Sequence, residues 1–388
     1  MTSIPATVEP FIAFAREHLD PAILDMASDH PLAETVAFND AGLNYWWLPE
    51  DMGGRGLDMT ESLEIVSGMS YYDAGFTFGT FLSILGSTMI EKFGPEQTRG
   101  ELLNRLVKSR RPCSVLASED SAGSDLTKIS TIFRVEGDAL VLNGDKSFST
   151  NADQAELLVV LARNQDDPTD YRIVVIPRDT PGITMVGRWN MLGVRGSATY
   201  QVGLTDVPAP SRYVLNGNGV RVLEVGLNLS RTLIAACGIG IARRVRDLSL
   251  QYAATKLVSG QPLKSNAVFA EKLGQMEADI EIMRNQCRTA SREILESLQT
   301  MGADPVRSSL FRIGTLRSVL VAKLACGQLA WRVVSVGSEM FGGAGYQQMH
   351  PMNKLLRDAR YIGIVEGGED VTRGLIYGRF VEPEARRS

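Results

Sequence analysis

The chain has 388 residues, with 40 Lys and Arg against 45 Asp and Glu, a formal net charge of −5. Hydrophobic residues make up 44% and charged residues 22%, the composition of a globular protein, and the length suits roughly two or three folded units or one large compact body. That balance excludes intrinsic disorder, a collagen-like repeat and a surface built to coat nucleic acid or an anionic membrane.

The opening residues, MTSIPATVEPFIAF, lack a basic segment followed by a long apolar run, so no signal peptide is expected. From about Val8 to Val107 apolar residues recur at helical spacing, as in Phe11, Phe14 and Ala15, then Leu63, Val66 and Met69. The most apolar early stretch, Thr77 to Ile90, spans 14 residues, too short to cross a bilayer. A Gly-rich loop, Asp51 to Gly56, interrupts this half, and Pro112 closes it.

The period then drops to two. Ile132 to Val135 leads through Glu136-Gly137-Asp138 to Leu140-Val141-Leu142 and the expected turn pair Asn143-Gly144. Leu157 to Leu161 and Ile173 to Ile176 are apolar runs of strand length, and Tyr200, Val202 and Leu204 alternate ahead of Pro208 and Pro210. This block of about a hundred residues reads as an antiparallel sheet or barrel.

Helices return after about Leu215. Phe269, Leu273, Met276, Ile280, Met283, Cys287, Ala290 and Ile294 step alternately by four and three, a seam roughly 39 Å long. Such a seam packs in a bundle, within one subunit or between two. A second helix is expected from Leu310 to about Phe341. The fold class is therefore α+β and multi-domain: an N-terminal helical domain (1–112), a middle antiparallel β-domain (113–215) and a C-terminal helical bundle (216–388).

The four cysteines, at 113, 237, 287 and 326, form no CxxC pair, and His18, His30 and His350 are isolated. Neither a disulfide framework nor a metal site is expected, and a reduced cytoplasmic protein is the default. Gly238-Ile239-Gly240-Ile241-Ala242-Arg243 begins like a dinucleotide fingerprint but lacks its third glycine and a preceding strand, so close helix packing explains it better. No phosphate loop of the GxxxxGK[ST] type and no GxSxG elbow occur.

Two segments carry chemistry. The first is Ser114 to Asp125, running on to Asn143 through Asn151, in which small residues and hydroxyls can bring backbone N–H groups against a phosphate or a flat polar ring. Phe148 adds an aromatic face and Thr150 a hydroxyl on the same side if this is a strand. A polar turn followed by an ordinary hairpin accounts for the same composition. The second is Phe341-Gly342-Gly343-Ala344-Gly345-Tyr346, then Leu355 to Arg360, then Ile362 to Gly368, which sets the lone carboxylate Glu366 between an apolar stretch and two glycines. Apolar surroundings raise a carboxyl pKa, as a general base requires. A surface Glu favoured by a helix dipole is the alternative.

In this order and at this separation, the two segments resemble the acyl-CoA dehydrogenase family over nearly the whole chain. Ser118-Glu119-Asp120-Ser121-Ala122-Gly123-Ser124-Asp125 is similar to its T-E-x-x-A-G-S-D loop, and Asn143 to Thr150 to its N-G-x-K-x-[WF]-I-T strand. Leu192 to Thr199, then Asp206-Val207-Pro208, resemble its G-x-R-x-S-x-T and D-V-x-V-P stretches. FGGAGY, LLRDAR and IVEGG resemble its closing blocks.

The resemblance implies a C-terminal four-helix bundle, with FAD between that bundle and the β-domain and across a subunit interface of a homotetramer or dimer. It implies α,β-dehydrogenation of an acyl thioester on coenzyme A or an acyl carrier protein, with Glu366 as the base and flavin N5 as the hydride acceptor. Electron-transfer flavoprotein is the implied electron acceptor. By position it assigns Ala117, Ser118, Gly123, Ser124, Phe148, Thr150, Lys256, Glu339, Gly342, Gly343 and Gly368 to FAD, and Ser124, Arg231 and Gly367 to substrate. For Arg231 a structural ion pair stands beside a catalytic role. Gly368 stands in place of the family's Thr and Glu339 in place of a Gln, while Ser259 and Ala267 replace Phe and Gln. These departures imply altered FAD contacts and a specialised branch, such as one serving carrier-bound acyl groups in secondary metabolism. A flavin oxidase or monooxygenase on the same fold, and a non-catalytic helical scaffold, are the competing expectations.

Overall fold

A computed structural model describes residues 5–19, 32–123 and 125–385; His30 and Ser124 lie outside the described residues. In the N-terminal region it contains α1 (Glu9–His18), α2 (Leu32–Asp40), α3 (Met59–Met69), α4 (Ala74–Phe81), α5 (Ser83–Phe93) and α6 (Glu96–Ser109). Asp58 starts α3 with a capping box: its side chain accepts from the Thr60 and Glu61 N–H groups, and the Glu61 carboxylate accepts from the Asp58 N–H. Phe11, Phe14, Phe38, Trp46 and Phe76 join in one buried aromatic cluster, with ring centroids 5.2 to 6.4 Å apart.

The middle region is a seven-stranded sheet of β1 (Cys113–Leu116), β2 (Ile132–Glu136), β3 (Ala139–Thr150), β4 (Leu157–Asn164), β5 (Tyr171–Pro177), β6 (Ile183–Arg188) and β7 (Thr199–Pro210). Its order is β1-β4-β2-β3-β7-β6, with β5 also on β4. The sheet is mixed rather than antiparallel, because β1 and β2 both run parallel to β4. Alternation reports which face of a strand is buried, and it carries no information about the direction of the strand's neighbours. β4 is apolar from Leu157 to Ala162 because it has two interiors. Leu157, Val159 and Leu161 face the helices, and Leu158, Val160 and Ala162 face a second core with Phe133, Leu142 and Val202.

Two further expectations change on β3. The hairpin turns at Gly137-Asp138, and Asn143-Gly144 lies inside the strand, at a shift in register between Leu142 and Gly144. Gly144 has φ +148°, and a Cβ there would stand 2.5 Å from Thr131 Oγ1, so the glycine serves a bulge. A second shift between Lys146 and Ser149 leaves Phe148 exposed at φ +56° while Thr150 is buried, so the two do not share a face by simple alternation.

The C-terminal region holds α7 (Gly219–Thr255), a small hairpin of β8 (Leu257–Val258) and β9 (Gln261–Pro262), α8 (Ala267–Gln299), α9 (Ser309–Ile313), α10 (Arg317–Phe341), α11 (Pro351–Ile362) and α12 (Glu369–Ile376). Helices α7, α8, α10 and α11 pack as a bundle. Within the α8 seam, Met276 to Ile294 are buried in that bundle, while Phe269 and Leu273 are half-buried. The helix expected from Leu310 onward is broken at Gly314, φ +77°. Asn228 occupies the break, donating to Gly314 O at 2.9 Å and accepting from Leu316 N at 2.8 Å, so the interrupted backbone stays satisfied.

The three regions meet at a buried ammonium. Lys354 on α11 pairs with Asp73 at 3.0 Å and with Asp358; Asp73 caps α4 through Phe76 N, and Asp358 accepts from Val194 N at 2.7 Å. A second buried pair fixes the loop after β1. Lys146 Nζ donates to Glu119 at 2.8 Å and to Ala117 O at 3.1 Å, and Ser130 and Thr131 also donate to Glu119. Burial pushes the Glu119 carboxyl up, but the Lys146 charge and these hydrogen bonds outweigh it and bring it down to about 2. Burial pushes Lys146 down to about 8 against the pull of Glu119, so the pair is ionised between those limits.

Lys146→Met leaves Glu119 buried without its partner, and the expected loss is about 3 kcal/mol in chemical denaturation. Because Glu119 titrates lower folded than unfolded, its stabilisation is full above its ordinary value of 4.5 and fades as the pH falls toward 2. In α7, a Cβ at Gly240 would stand 2.4 Å from Ser67 O, whereas one at Gly274 in α8 would meet nothing within 4 Å. Gly240→Ala should therefore cost about 2 kcal/mol through overpacking, and Gly274→Ala should raise stability by about 0.5 kcal/mol; thermal melts distinguish the two.

Candidate active site

The turn between α11 and α12 carries Glu366 in the left-handed region, φ +52°, followed by Gly367 at φ +103°. Holding a glutamate there requires support, which α7 supplies. Arg231 Nε donates to Glu366 O at 2.9 Å, and Ser230 Oγ donates to Glu366 Oε2 at 2.7 Å. Arg231 is itself buried, and its Nη1 donates to Thr315 Oγ1 at 3.2 Å beside the Asn228 break. Lys323 on α10 adds a second buried cation, with Nζ donating to Ile362 O at 2.6 Å.

These contacts pull in opposite directions on the proton affinity of Glu366. Burial raises its pKa, while the Arg231 charge, the Ser230 hydrogen bond and the Lys323 charge lower it; burial prevails and the net shift is upward. Burial also holds Arg231 below its ordinary value, against the charges of Glu366 and Glu224. Tyr361, raised by burial and then by the Glu366 charge, stands edge-on to Phe78 with centroids 5.1 Å apart. Among the described residues, the Glu366 N–H has no acceptor.

The middle domain contributes a wall. Ala117 and Ser118 are half-buried just after β1, and Ser147 N donates to Ser118 O at 2.9 Å, which joins that loop to β3. Phe148 stacks on Trp189, with centroids 5.2 Å apart and planes at 25°. Thr150 Oγ1 lies 3.4 Å from Thr199 Oγ1. Trp189, Thr199 and Ala198 also line a cavity of about 200 Å³, together with Arg188 and Arg195. Ser149 Oγ and Trp189 Nε1 are buried with no hydrogen-bond partner among the described residues. Gly123 faces open space where a Cβ would stand, as do Gly343 and Gly368 in the C-terminal region. A wall with unused donors, an aromatic pair and an uncrowded glycine fits a flat polar ring with a phosphate tail.

The remaining sequence candidates gather elsewhere. Lys256 is exposed at the C-terminal end of α7, roughly 37 Å along the helix from Arg231. Glu339 pairs with Lys272 at 3.3 Å near the end of α10, and Gly342 caps that helix at φ +58°. Tyr252 and Phe341, with centroids 4.6 Å apart, bring these two helix ends together, roughly 27 Å along α10 from Lys323. One chain thus presents two separated groups: Glu366, Gly367 and Arg231 at one end of the bundle, and Lys256, Glu339, Gly342 and Gly343 at the other.

Sequence reasoning missed Ser230, Lys323, Trp189 and the Lys146–Glu119 pair. Lys323 left a signal. It sits on the helical stripe of Val319, Leu320, Ala322, Cys326 and Ala330, all buried, where a lone charge stands out.

Three family models match the chain: "Acyl-CoA dehydrogenase, N-terminal domain" over 6–110, "middle domain" over 114–207 and "C-terminal domain" over 217–380. The chain is 28% identical over 372 residues to the probable acyl-CoA dehydrogenase YngJ of Bacillus subtilis (strain 168), covering 94% of each chain. Its fold is that of butyryl-CoA dehydrogenase from Megasphaera elsdenii, with a TM-score of 0.85 at 24% identity and coverage of 97% of this chain and 99% of that one. It is also that of the prolyl acyl carrier protein oxidase AnaB, with a TM-score of 0.86 at 22% identity and coverage of 96% and 97%. With all three domains matched in order, the chain belongs to the acyl-CoA dehydrogenase family and is an FAD-dependent oxidoreductase acting on CH–CH bonds.

Proposed function

We propose that the protein desaturates an acyl thioester between its α and β carbons, with Glu366 as the base. The observation that carries this reading is a carboxylate of raised proton affinity, half-buried on a left-handed turn, gripped by Ser230 at its side chain and by Arg231 at its backbone. A base with an elevated pKa takes the α proton more readily than an exposed carboxylate does. The Glu366 N–H, without an acceptor among the described residues, is available to the thioester carbonyl oxygen as negative charge grows there. Arg231, by holding the carbonyl of the same residue, fixes the local backbone and acts as a positioning residue rather than a member of a simple ion pair. Ala117, Ser118, Phe148 and Thr150, with Trp189 and Thr199 beside the cavity, would hold the flavin. When bound, FAD supplies the acceptor for the β hydrogen and its electron pair.

Lys256, Glu339, Gly342 and Gly343 are proposed to meet the flavin of a second copy, since they lie too far along their helices from Arg231 and Lys323 to serve the same site. A homo-oligomer follows from that assignment. The acyl carrier is proposed to be coenzyme A or a carrier-protein arm; AnaB, which shares the fold, is a carrier-protein oxidase by name.

Anaerobic titration of the yellow protein with acyl thioesters on each carrier should bleach the oxidised flavin band with one of them. Glu366→Gln should stay yellow and lose the reduction rate by about 1,000-fold. Since the base acts ionised and its pKa is raised, the wild-type rate should climb with pH through a midpoint above the ordinary carboxylate range of 4.5. Stopped-flow reduction at the wild-type rate in the Gln variant would remove Glu366 from the base role.

A further inference from the structure

Lys323 stands on the buried face of α10, 2% exposed, among Val319, Leu320, Ala322 and Cys326. An ammonium in such surroundings is costly unless a charge answers it, and Ile362 O at 2.6 Å is its hydrogen-bond partner among the described residues. One helical turn further on, a Cβ at Gly327 would stand 3.0 Å from Gly363 Cα, so α10 presses directly against the turn that carries Glu366. Lys323 therefore touches that turn at its root, and its charge reaches both Glu366 and Arg231.

We propose that Lys323 is a positioning residue for the reaction: its hydrogen bond to Ile362 O anchors the Glu366 turn to α10, and its buried ammonium acts on Glu366 through that turn. The proposal rests on reading Glu366 as the base. Other groups facing the carboxylate are Ser230 and Arg231 from α7 and Tyr361 from α11. Glu224 and Arg379 lie behind Arg231, and Glu369 of α12 and Cys326 act on Lys323. Glu369 is already engaged by Arg373 at 3.0 Å and Gln328 at 3.1 Å, and Glu224 by Arg221 at 2.9 Å and by Arg379. Burial and the Arg231 charge push Lys323 down to about 8, so it is charged through neutral pH.

The test is an infrared pH titration of the holoenzyme, with the spectrum of Glu366→Gln subtracted to isolate the Glu366 carboxyl band. Lys323→Gln keeps a donor for Ile362 O without the charge, Lys323→Met removes both, and Lys323→Arg keeps the charge. The Gln and Met variants should raise the Glu366 midpoint by about one pH unit, and the Arg variant should restore it. The rising limb of flavin reduction should move by the same amount, about tenfold in rate below the midpoint, with the plateau at high pH retained. A folded Gln variant whose infrared midpoint matches the wild type overturns the proposal, even if its thermal stability falls. If no thioester reduces the wild-type flavin, the base assignment fails, while the infrared midpoints still decide what Lys323 does to Glu366.

Discussion

The architecture turns on one buried ammonium. Lys354 lies between Asp73, which caps an N-terminal helix, and Asp358, which accepts the Val194 N–H of the middle domain. Burial alone would lower the Lys354 pKa, but its two carboxylates reverse that and hold it charged. Three regions of sequence are thereby brought to a common point by a charge with no other outlet. Val194, at φ +46°, begins the loop that ends at Thr199 against the wall, so the joint also sets the cavity beside Trp189. Asp73 in turn, raised by burial and by Asp358 and restrained by Lys354, shows how little slack two acids and one base leave in an interior.

A similar balance operates at Glu366. Desolvation favours the protonated carboxyl, and Arg231, Ser230 and Lys323 favour the ionised one. A base must be easy to ionise in the resting site and eager for a proton during the reaction, and both properties come from setting burial against nearby cations. The left-handed turn serves the same end. It directs the Glu366 carbonyl to Arg231 and leaves the N–H without an acceptor among the described residues, so backbone and side chain of one residue are both positioned by α7.

The sheet earns its mixed topology from having two interiors. Because β4 feeds one core with odd-numbered residues and another with even-numbered ones, a one-residue slip would exchange the two sets rather than expose them. The bulges in β3 then re-aim single residues without moving the strand. Gly144 relieves the crowding against Thr131, and the shift before Ser149 turns Phe148 outward onto Trp189 while Thr150 stays inside.

By itself, the sequence determined the order of helices, sheet and helices, the buried seam of α8, and the isolation of Glu366 between apolar residues and glycines. These are local properties: periodicity and turn chemistry are set by residues a few positions apart. The tertiary structure alone decided that β1 and β2 run parallel to β4, that Asn143-Gly144 is a bulge, and that the helix after Leu310 breaks at Gly314 where Asn228 can satisfy it. It alone brought Ser230 and Lys323 to Glu366, across separations of 136 and 43 positions in the chain. Spacing along a chain records which face of an element is buried, but the charge that answers a buried group is chosen by packing between elements, and a pattern in one element holds no trace of it.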